Sequence, residues 1–175
     1  MSDINPATAH GQTPMYVAGL KGHTEIVEYL MGKLQTKNPP ISNGNWTYLH
    51  VAASEGNLKI VETIANALSD INPAADDGQT PMYVATLKGH TDIVSFYVDK
   101  LQNKNPPCSC TKSNLTPLHI AASEGHLNIV KIIANSLLNI NPAADDGQTP
   151  MYIAALKGRN VQGGPSKFVN DGDSE

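Results

Sequence analysis

Adjacent pairs of branched apolar residues recur along this chain, and each pair is followed about one helical turn later by further apolar residues. This spacing places the apolar side chains on one face of an α-helix. The first such segment begins at His23-Thr24, and we predict that it ends near Leu34, before Asn38-Pro39-Pro40 imposes an extended connection. The apolar positions of the four segments are Ile26, Val27 and Leu30; Ile60, Val61, Ile64 and Leu68; Ile93, Val94, Tyr97, Val98 and Leu101; and Ile129, Val130, Ile133 and Leu137.

A shorter helix is predicted before each of these segments. In its first copy Thr13 is a good N-cap, and Pro14 suits the first helical position, where its missing N–H is not needed. The helix is predicted over about Pro14 to Leu20, with Gly22 ending it. Alanines line these short helices and allow their neighbours to approach closely.

The stretch that contains this short helix occurs five times at a nearly fixed period. The threonines that open the copies are 34, 33, 36 and 33 residues apart, and alternate threonines are 67 and 69 residues apart. Two kinds of repeat therefore alternate. The five threonines are Thr13, Thr47, Thr80, Thr116 and Thr149.

The sequence Thr116-Pro117-Leu118-His119-Ile120-Ala121 resembles the signature of the ankyrin repeat. The other copies depart from it mildly, with Met-Tyr in place of Leu-His in the odd repeats and Tyr48 in place of proline in the second. The resemblance covers roughly residues 4 to 158. It implies an all-α ankyrin-repeat solenoid, with a β-turn and two antiparallel helices in each repeat.

The resemblance divides the chain into an array over residues 1–158 and a tail over 159–175. Repeats are expected at about 4–37, 38–70, 71–104, 105–139 and 140–158, the fifth being truncated. Gly158-Arg159-Asn160-Val161 begins like a second helix, but Gly163-Gly164-Pro165 disfavours its continuation, and the polar tail is expected to be mobile. The fourth repeat's second helix is then left partly uncovered, unless Val161, Phe168 or Val169 folds back over it.

Composition narrows the function classes. A net charge of −4 argues against a broad nucleic-acid surface. No apolar run is long enough to span a bilayer, and no secretory signal is visible at Met1-Ser2-Asp3. Two cysteines give no disulfide framework, so we expect a reducing cytoplasmic or nuclear setting. The protein is also expected to be a monomer.

Nothing in the sequence indicates a catalytic, cofactor or metal site. The resemblance gives His50 and His119 the role of tying the turn to the helix, and it places His23, His90 and His126 at the starts of second helices, while His10 is off the motif and expected to be solvated. Cys108 and Cys110 could be a metal or redox pair, but two free thiols in a widened loop are favoured because further ligands are missing. Asn45 and Asn114 satisfy the glycosylation pattern, yet they stand where a turn needs positive φ.

The resemblance implies a partner-binding surface on the concave side, where the β-turns, called fingers, and the first helices present variable residues. One charged column, of alternating sign, is expected to form a ladder of surface ion pairs. Trp46 could anchor a partner or pack onto Gln12 or Gln79, and paired acids at the finger tips favour a basic partner. The candidate residues are Gln12, Leu20, Lys21, Trp46, Ser54, Glu55, Asp76, Asp77, Gln79, Leu87, Lys88, Leu115, Ser123, Glu124, Asp145, Asp146 and Gln148, and Lys157 ends the charged column.

The expected function is that of a non-catalytic module that binds a peptide or protein, without nucleic acid or membrane insertion. The alternative is a structural spacer, a slice of a longer array in a cytoskeletal or channel-like protein. The match of Ser2–Pro6 to Ser69–Pro73 favours that alternative.

Overall fold

The computed structural model describes residues 4–9, 12–41 and 44–161, with side chains as far as Gly158. The tail beyond residue 161 and His10, with the predictions made for them, lie outside the described residues. Within the described part the regular elements are helices, and an isolated antiparallel bridge joins Pro40 to Thr47. The helices are α1 (Pro14–Leu20), α2 (Thr24–Lys33), α3 (Tyr48–Ser54), α4 (Leu58–Ala65), α5 (Pro81–Lys88), α6 (Thr91–Lys100), α7 (Pro117–Glu124), α8 (Leu127–Asn135) and α9 (Pro150–Val161).

The helices form two parallel rows. We number the repeats by their helix pairs, from α1–α2 (repeat 1) to α7–α8 (repeat 4), with α9 in repeat 5. Each first helix packs on the first helix of the next repeat, and the second helices α2, α4, α6 and α8 pack on one another in order. The all-α solenoid implied by the resemblance is therefore confirmed.

The core is a continuous slab between the two rows. Small residues such as Ala52 and Ala85 are fully buried at the contacts between first helices. Branched and larger residues, among them Ile60, Ile93 and Ile129, fill the space towards the second helices. Because one repeat exposes both sides of its slab, each depends on its neighbours for burial.

The first helices begin as their sequences predict. Thr13 and Thr80 lie in extended backbone, and their hydroxyls accept hydrogen bonds from the amides of Tyr16 and Tyr83. Proline occupies the first position of α1 and α5, so one of the unpaired amides of a helix start is absent there.

An asparagine in each repeat satisfies a further amide at the start of the first helix. Each of these asparagines stands immediately before a proline, and its side-chain oxygen accepts from a backbone amide in the first turn of the helix. The loop that enters a repeat is thus fixed to the helix it precedes. The pairs are Asn5–Met15 (2.9 Å), Asn38–Leu49 (3.1 Å), Asn72–Met82 (2.9 Å), Asn105–Leu118 (2.9 Å) and Asn141–Met151 (3.2 Å).

The carbonyls at the ends of the first helices are capped from the next repeat. Asn57 Nδ2 donates to the Gly19 carbonyl at 2.9 Å, and His90 Nε2 lies 2.9 Å from the Ser54 carbonyl. Gly56 has a φ of 76°, and a Cβ there would lie 2.7 Å from the His90 ring. This position therefore requires glycine for both backbone conformation and space.

The fifth repeat differs from the expectation. In the sequence, Gly158-Arg159-Asn160-Val161 resembles the start of a second helix. Instead, α9 continues through Gly158 to Val161 as a single helix. The sequence after Val161 lacks the apolar pair that packs the second helix of other repeats onto the core, so nothing favours the chain turning back at Gly158.

The described helices include none with the length and apolar character to cross a membrane.

Replacing Asn105 with alanine is expected to lower the free energy of unfolding by about 1–3 kcal/mol, because the buried amide of Leu118 loses its acceptor. Urea denaturation measures the change. Asn128→Ala, at an exposed position of α8, is the matched control and should change stability by less than about 0.5 kcal/mol. Equal effects of the two substitutions would contradict the structural role of Asn105.

Replacing Tyr97 with phenylalanine is expected to raise stability by about 1 kcal/mol. In the described part of the chain, the Tyr97 hydroxyl is buried without a hydrogen-bond partner, and burial raises the pKa of its phenol. Leu30 occupies the corresponding position of α2, so an apolar side chain suits this place. A lower urea midpoint for Tyr97→Phe would show that the hydroxyl has a partner in solution.

Candidate protein-binding face

Neighbouring fingers are joined edge to edge. Between repeats 2 and 3, the amide of Asp76 donates to the Gly44 carbonyl at 2.8 Å, and Asn45 Nδ2 donates to the Asp76 carboxylate. Asn45 has a φ of 56° and Asn114 a φ of 50°, as the turn positions predict. Asn114 Nδ2 donates in the same way to Asp145, at 2.6 Å, between repeats 4 and 5.

Repeats 3 and 4 meet through a different contact. Cys108 and Cys110 form a disulfide, so the prediction of two free thiols is wrong. The widened loop folds into a tight turn that holds the two Cα atoms 5.1 Å apart, within the range that a disulfide bridges. Cys108 is buried, and its sulfur lies 3.1 Å from the carbonyl oxygen of Gly78 in the finger of repeat 3. The loop therefore packs directly against that finger.

His50 and His119 each tie the turn to the helix, as the resemblance implied, and each also contacts the next finger. Nδ1 of His50 lies 3.1 Å from the Thr47 amide and 2.9 Å from its hydroxyl, which forms a capping box at the start of α3. Its Nε2 lies 3.1 Å from the Gln79 carbonyl of the next finger. His119 makes the same contacts with Thr116 and with the carbonyl of Gln148.

Burial sets the protonation of these two histidines. Both side chains are fully buried, and desolvation lowers the pKa of each below its ordinary value. The carbonyl of Gln79 and the charge of Asp77 act in the opposite direction on His50 but do not outweigh burial. The neutral imidazole is thus the form that the folded chain favours.

The charged column at the ends of the first helices is exposed at all five of its positions. Among the described residues one ion pair forms, between Lys157 Nζ and Glu124 Oε1 at 3.8 Å. The predicted ladder is therefore wrong at its other three steps. Long side chains in water lose rotamer freedom when they pair, and the attraction there is screened, so the remaining charges stay solvated.

The two large apolar candidates at the fingers are both half-buried. Trp46 is half-buried, and its ring lies over His50 with 5.4 Å between ring centroids. Leu115 is also half-buried and packs against a small cluster of Tyr83, Cys108 and Ile120. Burial and the charges of Glu124 and Asp77 raise the pKa of Tyr83 in this cluster.

The remaining candidates for the partner-binding surface are either exposed or half-buried. Leu87 is 38% exposed beside the exposed Lys88, so the middle repeat presents an apolar side chain with a neighbouring cation. Gln12 is exposed as well. The half-buried candidates are Leu20, Ser54, Gln79, Ser123 and Gln148.

The finger tips carry exposed acids in two pairs. Asp77 accepts from the Gln79 amide at 2.9 Å, and Asp146 accepts from Ser113 Oγ at 2.6 Å and from the Gln148 amide at 3.0 Å. These hydrogen bonds, that of Ser113 above all, lower the pKa of Asp146. Asp146 therefore remains charged at neutral pH while it holds its finger in place.

Sequence reasoning missed the role of Tyr48. Its hydroxyl accepts from Asn5 Nδ2 at 2.8 Å and lies 2.7 Å from Thr13 Oγ1, so it joins repeats 1 and 2. The signal was the replacement of the motif's proline by a tyrosine. Elsewhere in the described residues, no three His, Cys, Asp or Glu side chains gather as metal ligands would.

Comparison with known proteins gives two findings. The sequence matches the family profile described as ankyrin repeats (3 copies) over residues 1–75, 43–106, 64–143 and 98–162. A curated mouse (Mus musculus) protein named "Protein fem-1 homolog A-like" is 27% identical over 99 residues. That alignment spans 57% of this chain and 15% of the mouse protein.

The stability of the array is expected to fall as the pH drops below the ordinary histidine value of about 6.5. A lowered pKa means that the unfolded chain takes up protons that buried His50 and His119 resist, so stabilisation is complete above that pH and is lost below it. Each histidine contributes a slope of at most about 1.4 kcal/mol per pH unit.

Urea denaturation between pH 7.5 and 5 measures this slope, and the His50→Gln, His119→Gln double variant should show a flatter profile. His23→Gln, at an exposed position, is the control and should keep the wild-type profile. An unchanged slope in the double variant would refute this assignment.

Proposed function

Because this chain belongs to the ankyrin-repeat family, whose repeats are generally protein–protein interaction modules, we propose that it binds a protein or peptide through its concave face. The face consists of the joined fingers and the ends of the first helices. The observation that carries the proposal is the row of exposed, largely unpaired charges beside the exposed Leu87. The hydrogen bonds between fingers support it further, because a fixed surface loses little freedom on binding.

The partner we propose carries basic residues. The acidic pairs Asp76-Asp77 and Asp145-Asp146 lie exposed at the rim, while the column behind them alternates in sign. Such a rim would speed association with a cationic segment and set its orientation more than it would add affinity. We propose that the chain acts as a monomer without a cofactor or catalysis, in keeping with a family that is typically non-catalytic.

Site-specific photocrosslinking tests the face. A benzophenone amino acid at Leu87 is expected to capture a discrete partner from cells that express the protein. The same group at Lys59, exposed on the second helix α4, is the control and should not capture it. Capture at Lys59 alone would move the site to the opposite face, and no capture at either position would favour the spacer function.

The rim acids are tested in the same assay. Asp76→Asn and Asp77→Asn together keep the size and the accepting oxygen of each side chain and remove the charge. We expect at least a fivefold lower yield of the adduct at Leu87, with a weaker dependence on salt. An unchanged yield would contradict the basic partner while leaving the concave face in place.

A further inference from the structure

An apolar groove lies at the C-terminal end of the array, away from the finger tips. It is a recess of about 320 Å³ walled by Leu118 on α7, by Leu127 and Val130 on α8, and by Met151 on α9, with Ile140 at its edge. Leu127 is 61% exposed and Met151 68% exposed. We call this recess the α8–α9 groove.

The same surface exists inside the array, where it is covered. Repeats 2 and 3 reproduce the groove 69 residues earlier in the sequence, with Met82 corresponding to Met151 and Val61 to Val130. Met82 and Val61 are both 0% exposed. The two surfaces are nearly identical in sequence, but the internal copy is covered by protein and the α8–α9 groove is open.

The helix that covers the internal copy is α6. It packs on both α4 and α5, and it buries Ile93, Val94, Tyr97 and Val98. These residues form two adjacent apolar pairs one turn apart. The internal copy of the groove therefore binds a helix with this apolar pattern.

The chain's own sequence does not supply such a helix at the corresponding place. Counted in the same register, the positions of Ile93, Val94 and Tyr97 fall on Gln162, Gly163 and Ser166. Glycine and the polar residues lack the apolar area that α6 buries. In addition, α9 runs straight on where α5 ends, so the chain does not turn back at Gly158.

A second copy does not fit either. Its exposed helix α2 carries Ile26 and Tyr29 and is related to α6 in sequence. However, α2 packs beside α1 as α6 packs beside α5. Placing α2 in the groove would force α1 into the space that α9 occupies.

The charges beside the groove differ from those beside its internal copy. Glu62 on α4 shares a surface recess with Asp92, Asp99 and Lys100 of α6. The corresponding residue on α8 is Lys131, which is exposed. An acidic helix is thus better matched to the α8–α9 groove than to the surface that α6 already covers.

We propose that the α8–α9 groove binds an amphipathic helix of a partner polypeptide, one with two adjacent apolar pairs a turn apart and flanking acidic residues. The bound helix completes the fifth repeat in trans and extends the slab by one layer. This site is separate from the concave face, so both can be occupied at once.

A peptide with the sequence of residues 89–101, stapled on its exposed side to favour the helix and labelled with fluorescein, serves as the probe. Its fluorescence polarisation is followed on titration with the full chain. We expect saturable binding, and Leu127→Asp or Met151→Asp should each weaken it at least tenfold. Tyr29→Asp, at a position 61% exposed at the other end of the array, is the matched control and should bind normally.

The charge is tested separately. Lys131→Glu should weaken binding of the acidic peptide about threefold to tenfold, and a peptide with Asp92→Lys and Asp99→Lys should reverse that preference. Circular dichroism of each variant checks that the exposed substitutions leave the fold intact. An equal affinity of both peptides for both proteins would overturn the acidic character of the partner helix.

Three outcomes overturn the proposal as a whole. The first is no binding, or binding that Leu127→Asp leaves unchanged. The second is self-association of the chain in sedimentation experiments that Leu127→Asp abolishes, which would assign the groove to a second copy. The third is binding only after removal of residues 162–175, which would mean that the chain's own tail occupies the groove.

Discussion

Burial between neighbours is the constraint on which this structure depends. Each helix pair is apolar on two opposite sides, and neither side is removed from water until another pair packs on it. Ile60 and Ile93 are fully buried because repeats lie on both sides of them. Ile26, at one end of the array, is 49% exposed although it occupies the same position as Ile93. The burial of a side chain therefore depends on the position of its repeat in the array as much as on the residue type.

Much of the fold could be predicted because the residues that determine its local structure recur at fixed positions in the repeats. Threonine stands before each first helix and proline follows it in all but α3, and the turn asparagines Asn45 and Asn114 adopt the positive φ that their positions require. The end of α9 could not be predicted in this way. Gly158 ends a helix only where a following helix returns to the core, so the deciding information lies in tertiary packing.

The candidate binding face was predictable in outline and less so in detail. A periodic sequence shows which positions align, so the exposed column from Lys21 to Lys157 was found. The sequence period does not show which side chains an inserted loop covers. The loop closed by Cys108 and Cys110 lies beside Leu115, and the contact of Trp46 with His50 arises from side-chain rotation, which the period does not encode.

The contacts between repeats alternate in kind along the array. A buried histidine and an asparagine–aspartate pair join repeats 2 and 3 and again repeats 4 and 5, whereas Tyr48 joins repeats 1 and 2, and the loop of Cys108 joins repeats 3 and 4. Under mechanical tension the array therefore presents two kinds of interface, which alternate with a period of two repeats. If one kind gives way at a lower force than the other, extension proceeds in steps of two repeats, each with a contour length of about 24 nm for some 67 residues. The contacts at the fingers thus set a mechanical period twice as long as the structural one.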